Sequence, residues 1–200
     1  MNTELKFLFE NKDTKWHILG IGGCGMSVIA RLLKTYYVNI SGSDIRRSLL
    51  LNELEDENIK IYNSHLDTNV INKDVVIVST AIPNNNIEIL KAKELNIPIF
   101  HRTVILNYFI EQHEISIGIM GTHGKGTITG AISQLIYNIN YAIGGILKNN
   151  NTNIRLKKPY NSIVVEIDES DGSFNNIKVN NLLINNLSYD HMDYFGSLDN

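Results

Sequence analysis

His17-Ile18-Leu19-Gly20-Ile21-Gly22-Gly23-Cys24-Gly25-Met26 is the stretch that decides the fold. An apolar run ends in a cluster of glycines, and apolar residues then recur at helical spacing. The spacing predicts a strand over 17–21, a tight turn, and a helix over 26–36. Gly20, Gly22 and Gly25 fit G-x-G-x-x-G, and Asp44 follows a second predicted strand over 38–41. Glycines at these positions let the backbone approach a pyrophosphate, and the helix N-terminus adds partial positive charge. Taken alone, the motif has a dinucleotide (NAD) turn as its obvious reading and a ligand-free tight turn as its plain alternative. Cys24 has no convincing partner base, so it reads as a small space-filling residue rather than a nucleophile.

Outward from this turn, short β-branched runs alternate with amphipathic segments. Strands are predicted over 59–62, 75–79 and 97–100, and helices over 49–57, 87–95 and 103–111, up to a boundary near Gln112-His113-Glu114. There the pattern restarts, with a strand over 115–120, a glycine-rich turn over 121–126, a helix over 127–137, and strands over 162–167 and 181–185. This alternation marks βαβ units, and so an α/β fold with parallel sheets. Two strand–glycine loop–helix starts predict two nucleotide-binding domains, 1–112 and 113–200, with ligands beyond the carboxyl ends of the strands.

The second turn, Gly121-Thr122-His123-Gly124-Lys125-Gly126-Thr127, resembles a phosphate-binding loop in which backbone amides cradle phosphates and Lys125 neutralises their charge. It departs from the strict pattern twice. Ile119 stands where a glycine is expected, and Gly126 replaces the hydroxyl residue after the lysine, leaving Thr127 as the nearest hydroxyl. Gly126 also offers the freedom for the helix to start one residue later. The alternative is a glycine-rich turn with an incidental lysine. Glu166-Ile167-Asp168-Glu169-Ser170-Asp171 closes a predicted strand with hard oxygen ligands of the kind magnesium prefers, though solvated acidic loops are common. Asp190-His191-Met192-Asp193 follows a strand in the same way, and a lone histidine there has an ordinary surface or core reading.

Composition narrows the classes. The chain has 200 residues, 43% hydrophobic and 20% charged, enough for a sizeable core in one or two domains. A formal charge of −3 gives no basic face for nucleic acid. The apolar runs fall short of the roughly 20 residues of a membrane span, and 1–15 does not read as a signal peptide. One cysteine excludes an internal disulfide and a cysteine-cluster metal site. The expectation is a cytoplasmic protein without membrane insertion. The asparagine runs 84–86 and 149–151 read as compositional drift filling loops.

Together these motifs resemble the Mur ligases, from about Trp16 to the end of the chain. The glycine turn through Met26 is followed by Ser41-Gly42-Ser43-Asp44, and Ser79-Thr80-Ala81-Ile82-Pro83 is similar to the family's Ser-Ser-Ala-Ile-Pro. Gly121 to Lys125 is identical to its Gly-Thr-His-Gly-Lys, and Asn151-Thr152-Asn153-Ile154-Arg155-Leu156 is similar to its Gly-Thr-Asn-x-Arg-Leu. Glu166 to Phe174 resembles its Glu-Ala-Asp-Glu-Ser-Asp-(Ala/Gly)-Ser-Phe, and Asp190 to Asp193 its Asp-His-Met-Asp.

The resemblance implies a Rossmann-like domain holding a UDP-sugar through Gly20, Gly22, Gly23, Cys24, Gly25, Met26, Asp44, Ser79 and Thr80, with His123 and Asn153 near the substrate. It implies a second domain that binds ATP through Gly121, Thr122, His123, Gly124, Lys125, Gly126 and Thr127. Lys125, Glu166 and His191 would be catalytic, with Thr127, Glu166 and His191 holding Mg2+. The implied reaction joins L-alanine to the carboxylate of UDP-N-acetylmuramate through an acyl phosphate, in peptidoglycan synthesis. Such catalysis is mostly positioning and charge neutralisation. Family members usually carry threonine after the loop lysine and continue through further sequence, so the chain reads as a fragment or a truncated product, incomplete for the reaction. Competing readings are an inactive nucleotide-sugar/ATP-binding module and a ligase attaching a recycled tripeptide to UDP-muramate. An NAD oxidoreductase explains nothing after Glu114.

Overall fold

The computed structural model describes residues 3–170 and 172–190. The chain is mixed α/β, and it divides into two compact units between Ile105 and Leu106.

In the first unit, helix α1 (Thr3–Glu10) precedes β1 (Trp16–Leu19), α2 (Cys24–Lys34), β2 (Ile40–Ser43), α3 (Leu49–Asp56), β3 (Lys60–Tyr62), β4 (Val75–Val78), α4 (Ile87–Glu94) and β5 (Ile99–His101). Helix α5 (Arg102–Ile110) contains the division. The sheet order is β3-β2-β1-β4-β5, every neighbouring pair parallel. Strand order reverses between β1 and β4, which opens a crevice at the carboxyl ends of those strands. Val75, Val76 and Ile77 are sealed from solvent, as a central parallel strand covered on both faces requires. Leu19 and Val76 pack with Val70, Ile89 and Ala92 as one core.

The second unit runs β6 (Ile115–Met120), α6 (Lys125–Leu135), β7 (Asn140–Leu147), β8 (Thr152–Arg155), β9 (Ser162–Glu166) and β10 (Asn181–Ile184). Its sheet order is β10-β6-β9-β7-β8, parallel except for the antiparallel β7–β8 pair. Ile119, Ile139, Tyr141, Ile143 and Val164 form its core.

Several sequence expectations need correction. Residues 3–10, given no element from the sequence, form a helix, because Leu5, Leu8 and Phe9 line one face and Phe9 meets Trp16 at a ring distance of 5.0 Å. Strand β2 lies over Ile40–Ser43, two residues later than expected, leaving Val38 exposed. The β7–β8 hairpin was not anticipated. Helix α6 begins at Lys125 on an N-cap at Gly124, so Gly126 sits inside the first turn and does not delay the helix. The asparagines are more than filler. Asn58, Asn72, Asn96, Asn138 and Asn151 all take positive φ, a conformation asparagine tolerates better than most residues, and the Asn86 side chain caps α4 by accepting from Glu88 N.

Candidate functional site

In the first unit the glycine turn lies at the carboxyl end of β1, beside the crevice. Gly20 takes φ +67°, and its N–H and that of Ile21 donate to the Ser43 carbonyl at 2.8 and 3.2 Å. Asp44 turns its carboxylate towards backbone: Oδ2 accepts from Gly22 N at 2.9 Å, and Oδ1 from Arg46 N at 2.9 Å. A side chain at position 22 would put its Cβ 2.8 Å from Asp44 Oδ2, so only glycine allows this contact. Asp44 therefore holds the turn, whereas in an NAD site the residue at this place reaches for ribose. The segment Ser79–Ile82 follows β4 across the crevice, and Ile82 lies over Gly20. Cys24 is exposed at the start of α2, whereas Met26 is buried. Gly23 caps α2, and a Cβ on Gly25 would run into the Arg102 guanidinium, which lies over the first turn of that helix. The structure thus gathers Gly20, Gly22, Gly23, Cys24, Gly25 and Asp44 around one turn, with Ser79 and Thr80 on the segment that brings Ile82 to Gly20.

Beneath this turn is a buried polar network absent from the sequence reading. Glu88, sealed from solvent on α4, accepts from the Ser43 hydroxyl at 2.6 Å and from Asn69 Nδ2 at 2.6 Å. His65 Nδ1 lies 2.8 Å from Glu88 Oε2, and His17 Nε2 lies 3.5 Å from Oε1. Burial pushes the Glu88 pKa up, but the neighbouring His17 and the bonds from Ser43 and Asn69 outweigh it and hold the carboxyl at about 2. Burial holds the His17 imidazole below its ordinary value despite Glu88.

In the second unit the turn 121–124 joins β6 to α6, and the glycine-rich stretch runs on to Gly126 in the first turn of the helix. Gly121 and Gly124 take φ +137° and +80°, and a Cβ at Gly121 would press on the Asn186 backbone at 3.0 Å. Asn186 Oδ1 accepts from His123 N at 2.9 Å, while Asn185 Nδ2 and Asn186 Nδ2 each donate to His123 O at 2.8 Å. Sequence reasoning missed these two clamps, which no motif marks. The first N–H groups of α6 have no partner within the helix, so the loop presents amides at a helix N-terminus. Lys125 Nζ donates to Gly121 O at 2.8 Å and to Glu169 Oε1 at 2.7 Å.

Glu166 ends β9 and accepts from Gly144 N through Oε2 at 2.7 Å. A Cβ on Gly126 would lie 3.5 Å from that oxygen and one on Gly144 3.4 Å, so two missing side chains leave room beside the carboxylate. Gly126 faces Glu166. Thr127 is exposed one residue on, about 100° around the helix axis. His123 is exposed, Thr122 lies in the turn, and Asn153 is buried within β8. His191 lies outside the described residues. Among the described residues, no three of His, Cys, Asp and Glu gather as a metal cage. No helix among them is long and apolar enough to cross a membrane.

Comparison with known proteins agrees with this architecture. Residues 15–114 match the model of the Mur ligase family, catalytic domain. The chain is 37% identical over 193 residues to the UDP-N-acetylmuramate–L-alanine ligase of Ruthia magnifica subsp. Calyptogena magnifica, covering 94% of this chain and 41% of that protein. It is 39% identical to the enzyme of the same name from Buchnera aphidicola subsp. Baizongia pistaciae, covering 92% and 39%. It therefore spans about two fifths of the length of the curated relatives it matches. Among solved structures, the UDP-N-acetylmuramate-alanine ligase MurC of Thermotoga maritima superposes with a TM-score of 0.81 at 29% identity, over 92% of this chain and 44% of that one. A UDP-N-acetylmuramate:L-alanyl-γ-D-glutamyl-meso-diaminopimelate ligase from Neisseria meningitides shares the fold, with a TM-score of 0.83 at 23% identity over 94% and 64%. With half of its residues under the family model and its fold matched in a solved relative, the chain belongs to the Mur ligase family.

Proposed function

We propose that the chain carries the UDP-sugar and ATP sites of a cytoplasmic ligase that joins L-alanine to the carboxylate of UDP-N-acetylmuramate with cleavage of ATP to ADP, in peptidoglycan synthesis. The observation that carries this reading is the 121–126 loop. It presents first-turn amides, a lysine and the carboxylate of Glu166 at the ends of adjacent parallel strands. A triphosphate is the ligand class such a constellation suits.

In this reading the first turn holds uridine diphosphate on the N-terminus of α2, with Asp44 bracing it from behind. Asp44 favours a UDP-sugar over NAD because its oxygens are turned to backbone N–H groups. His123 and Asn153 are assigned to the neighbourhood of the sugar carboxylate. The α6 amides and Lys125 orient ATP so that the substrate carboxylate meets the γ-phosphate in line. Lys125 draws off charge as the acyl phosphate forms, and L-alanine's amine then displaces the phosphate. Glu166, with the space left by Gly126 and Gly144, fits a magnesium ion, and Thr127 and His191 are proposed as further ligands. When bound, magnesium neutralises phosphate charge, with nucleotide and water completing its shell.

Gly126 favours a second reading, binding without turnover, because it removes the hydroxyl that would face Glu166. Calorimetric titration with UDP-N-acetylmuramate, NADH and Mg-ATP tests the binding. UDP-sugar and Mg-ATP should bind and NADH should not, and NADH binding more tightly than the UDP-sugar would sink the reading. ADP release on adding L-alanine separates a ligase from a binding module.

A further inference from the structure

The lysine of the second loop is already engaged. Glu169 follows β9, which pairs with β6 so that Ile119 stands opposite Glu166, and this adjacency brings the two loops side by side. Lys125 Nζ meets Glu169 Oε1 at 2.7 Å, with both side chains largely removed from water. The other carboxylate oxygen, Glu169 Oε2, is buried without a hydrogen-bond partner among the described residues. Lys125 is thus Glu169's main compensation for being buried as a charge.

On the ATP reading above, we propose that Glu169 is a positioning residue that makes this site selective for metal-complexed nucleotide. An ammonium has three donors, and Gly121 O and Glu169 occupy two of them. A nucleotide whose terminal phosphates draw Lys125 away strands a buried carboxylate, which is strongly unfavourable unless another cation replaces the lysine. It also brings phosphate charge close to Glu169, where screening is weak. Bare ATP meets both penalties. ATP accompanied by a divalent cation would meet neither in full, because the added positive charge would offset both the phosphate charge and the carboxylate that the lysine leaves. A monophosphate that does not reach Lys125 is indifferent to Glu169. The same ion pair holds the lysine over the loop before nucleotide arrives.

The test compares the full chain with Glu169→Gln by calorimetry, using ATP and AMP, each in EDTA and in magnesium. The variant should bind metal-free ATP roughly tenfold more tightly than the parent chain. The difference should shrink in magnesium, and AMP should be unaffected. Glu169→Ala, which also removes the charge, should rank the ligands the same way and serves if the glutamine variant does not fold. Unchanged or weaker affinity of the variants for metal-free ATP overturns the inference, as does an equal gain for ATP and AMP. Failure of the ATP reading looks different: neither parent nor variant binds ATP in any buffer.

Discussion

Replacing Glu88 by glutamine isolates the charge of the network under the first glycine turn. Glutamine keeps the size of a protonated glutamic acid, so the substitution approximates a permanently protonated Glu88. The carboxyl lies at about 2, against 4.5 for a free side chain. At about 1.36 kcal/mol per unit, the charged form contributes about 3 kcal/mol at pH 7. Glu88→Gln should therefore destabilise the first unit by about that amount, although the new amide recovers part of it by donating to a re-oriented Ser43 hydroxyl. Because the folded value is depressed, this stability is complete above about pH 4.5 and is lost as pH falls towards 2. By about pH 3.5 the parent chain should have lost about 1 kcal/mol that the variant never had. The two should thus converge on acidification. His17 acts in the same direction at higher pH: its lowered value makes the neutral imidazole the stable form, so stability begins to fall below about 6.5 in both proteins. Urea unfolding followed by fluorescence of Trp16, the chain's single tryptophan and fully buried beside the network, reads this unit selectively. A gap under 1 kcal/mol at pH 7, or one of the same size at pH 3.5, would show that the charge of Glu88 does not hold the network together.

Four further outcomes follow from the same contacts. Lys125→Ala should abolish detectable ATP binding, since charge-assisted bonds are worth roughly 1.5–3 kcal/mol each; nucleotide affinity that survives in calorimetry would reduce the loop to a turn. Asp44→Ala frees Gly22 N and should weaken UDP-sugar binding about tenfold with a smaller loss in thermal stability, whereas Asp44→Asn, which retains an acceptor, should lose less. Gly42→Ala would set a Cβ 2.7 Å from the Ile18 carbonyl and should destabilise the first unit by about 2 kcal/mol or more, checked by the same urea titration. Gly126→Thr adds a hydroxyl-bearing side chain facing Glu166 and should tighten Mg-ATP binding, while Thr127→Val should weaken it more than Thr129→Val. Indifference of magnesium-dependent affinity to position 126 would place the ion away from Glu166.

Local chemistry explains what the sequence made legible. Both glycine turns are read directly, because positive φ and close backbone approach demand glycine at fixed spacing, and the strands before them are apolar runs. Strand β2 was harder to place. Ile40-Ser41-Gly42-Ser43 is small and polar, and it is a buried strand only because Ser41 meets His17, Ser43 meets Glu88, and Gly42 yields space to Ile21. The β7–β8 hairpin hid behind Gly144-Gly145 and an asparagine-rich turn. The acidic segment was visible, but the partner of Lys125 was not. That pairing depends on β9 lying next to β6, a neighbour relation set by sheet order rather than by spacing along the chain. Asn185 and Asn186 escaped for the same reason.

The two turns share one device, and its details divide the work between them. In each, a polar side chain just past the end of the next strand in the sheet reaches back to loop backbone: Asp44, after β2, to Gly22 N, and Asn186, after β10, to His123 N. Both loops are thereby held before any ligand arrives, so little ordering entropy remains to be lost on binding. The clamps also decide which amides a phosphate can use. Gly22 N and His123 N are thereby closed to phosphate, whereas the first-turn amides of α2 and α6 have no intrahelical partner. At α6 these belong to Lys125, Gly126 and Thr127. On the proposed ATP reading, Gly126 would serve a nucleotide through its N–H without any side chain, so the missing hydroxyl would bear on a metal ion and not on phosphate contacts to the loop amides.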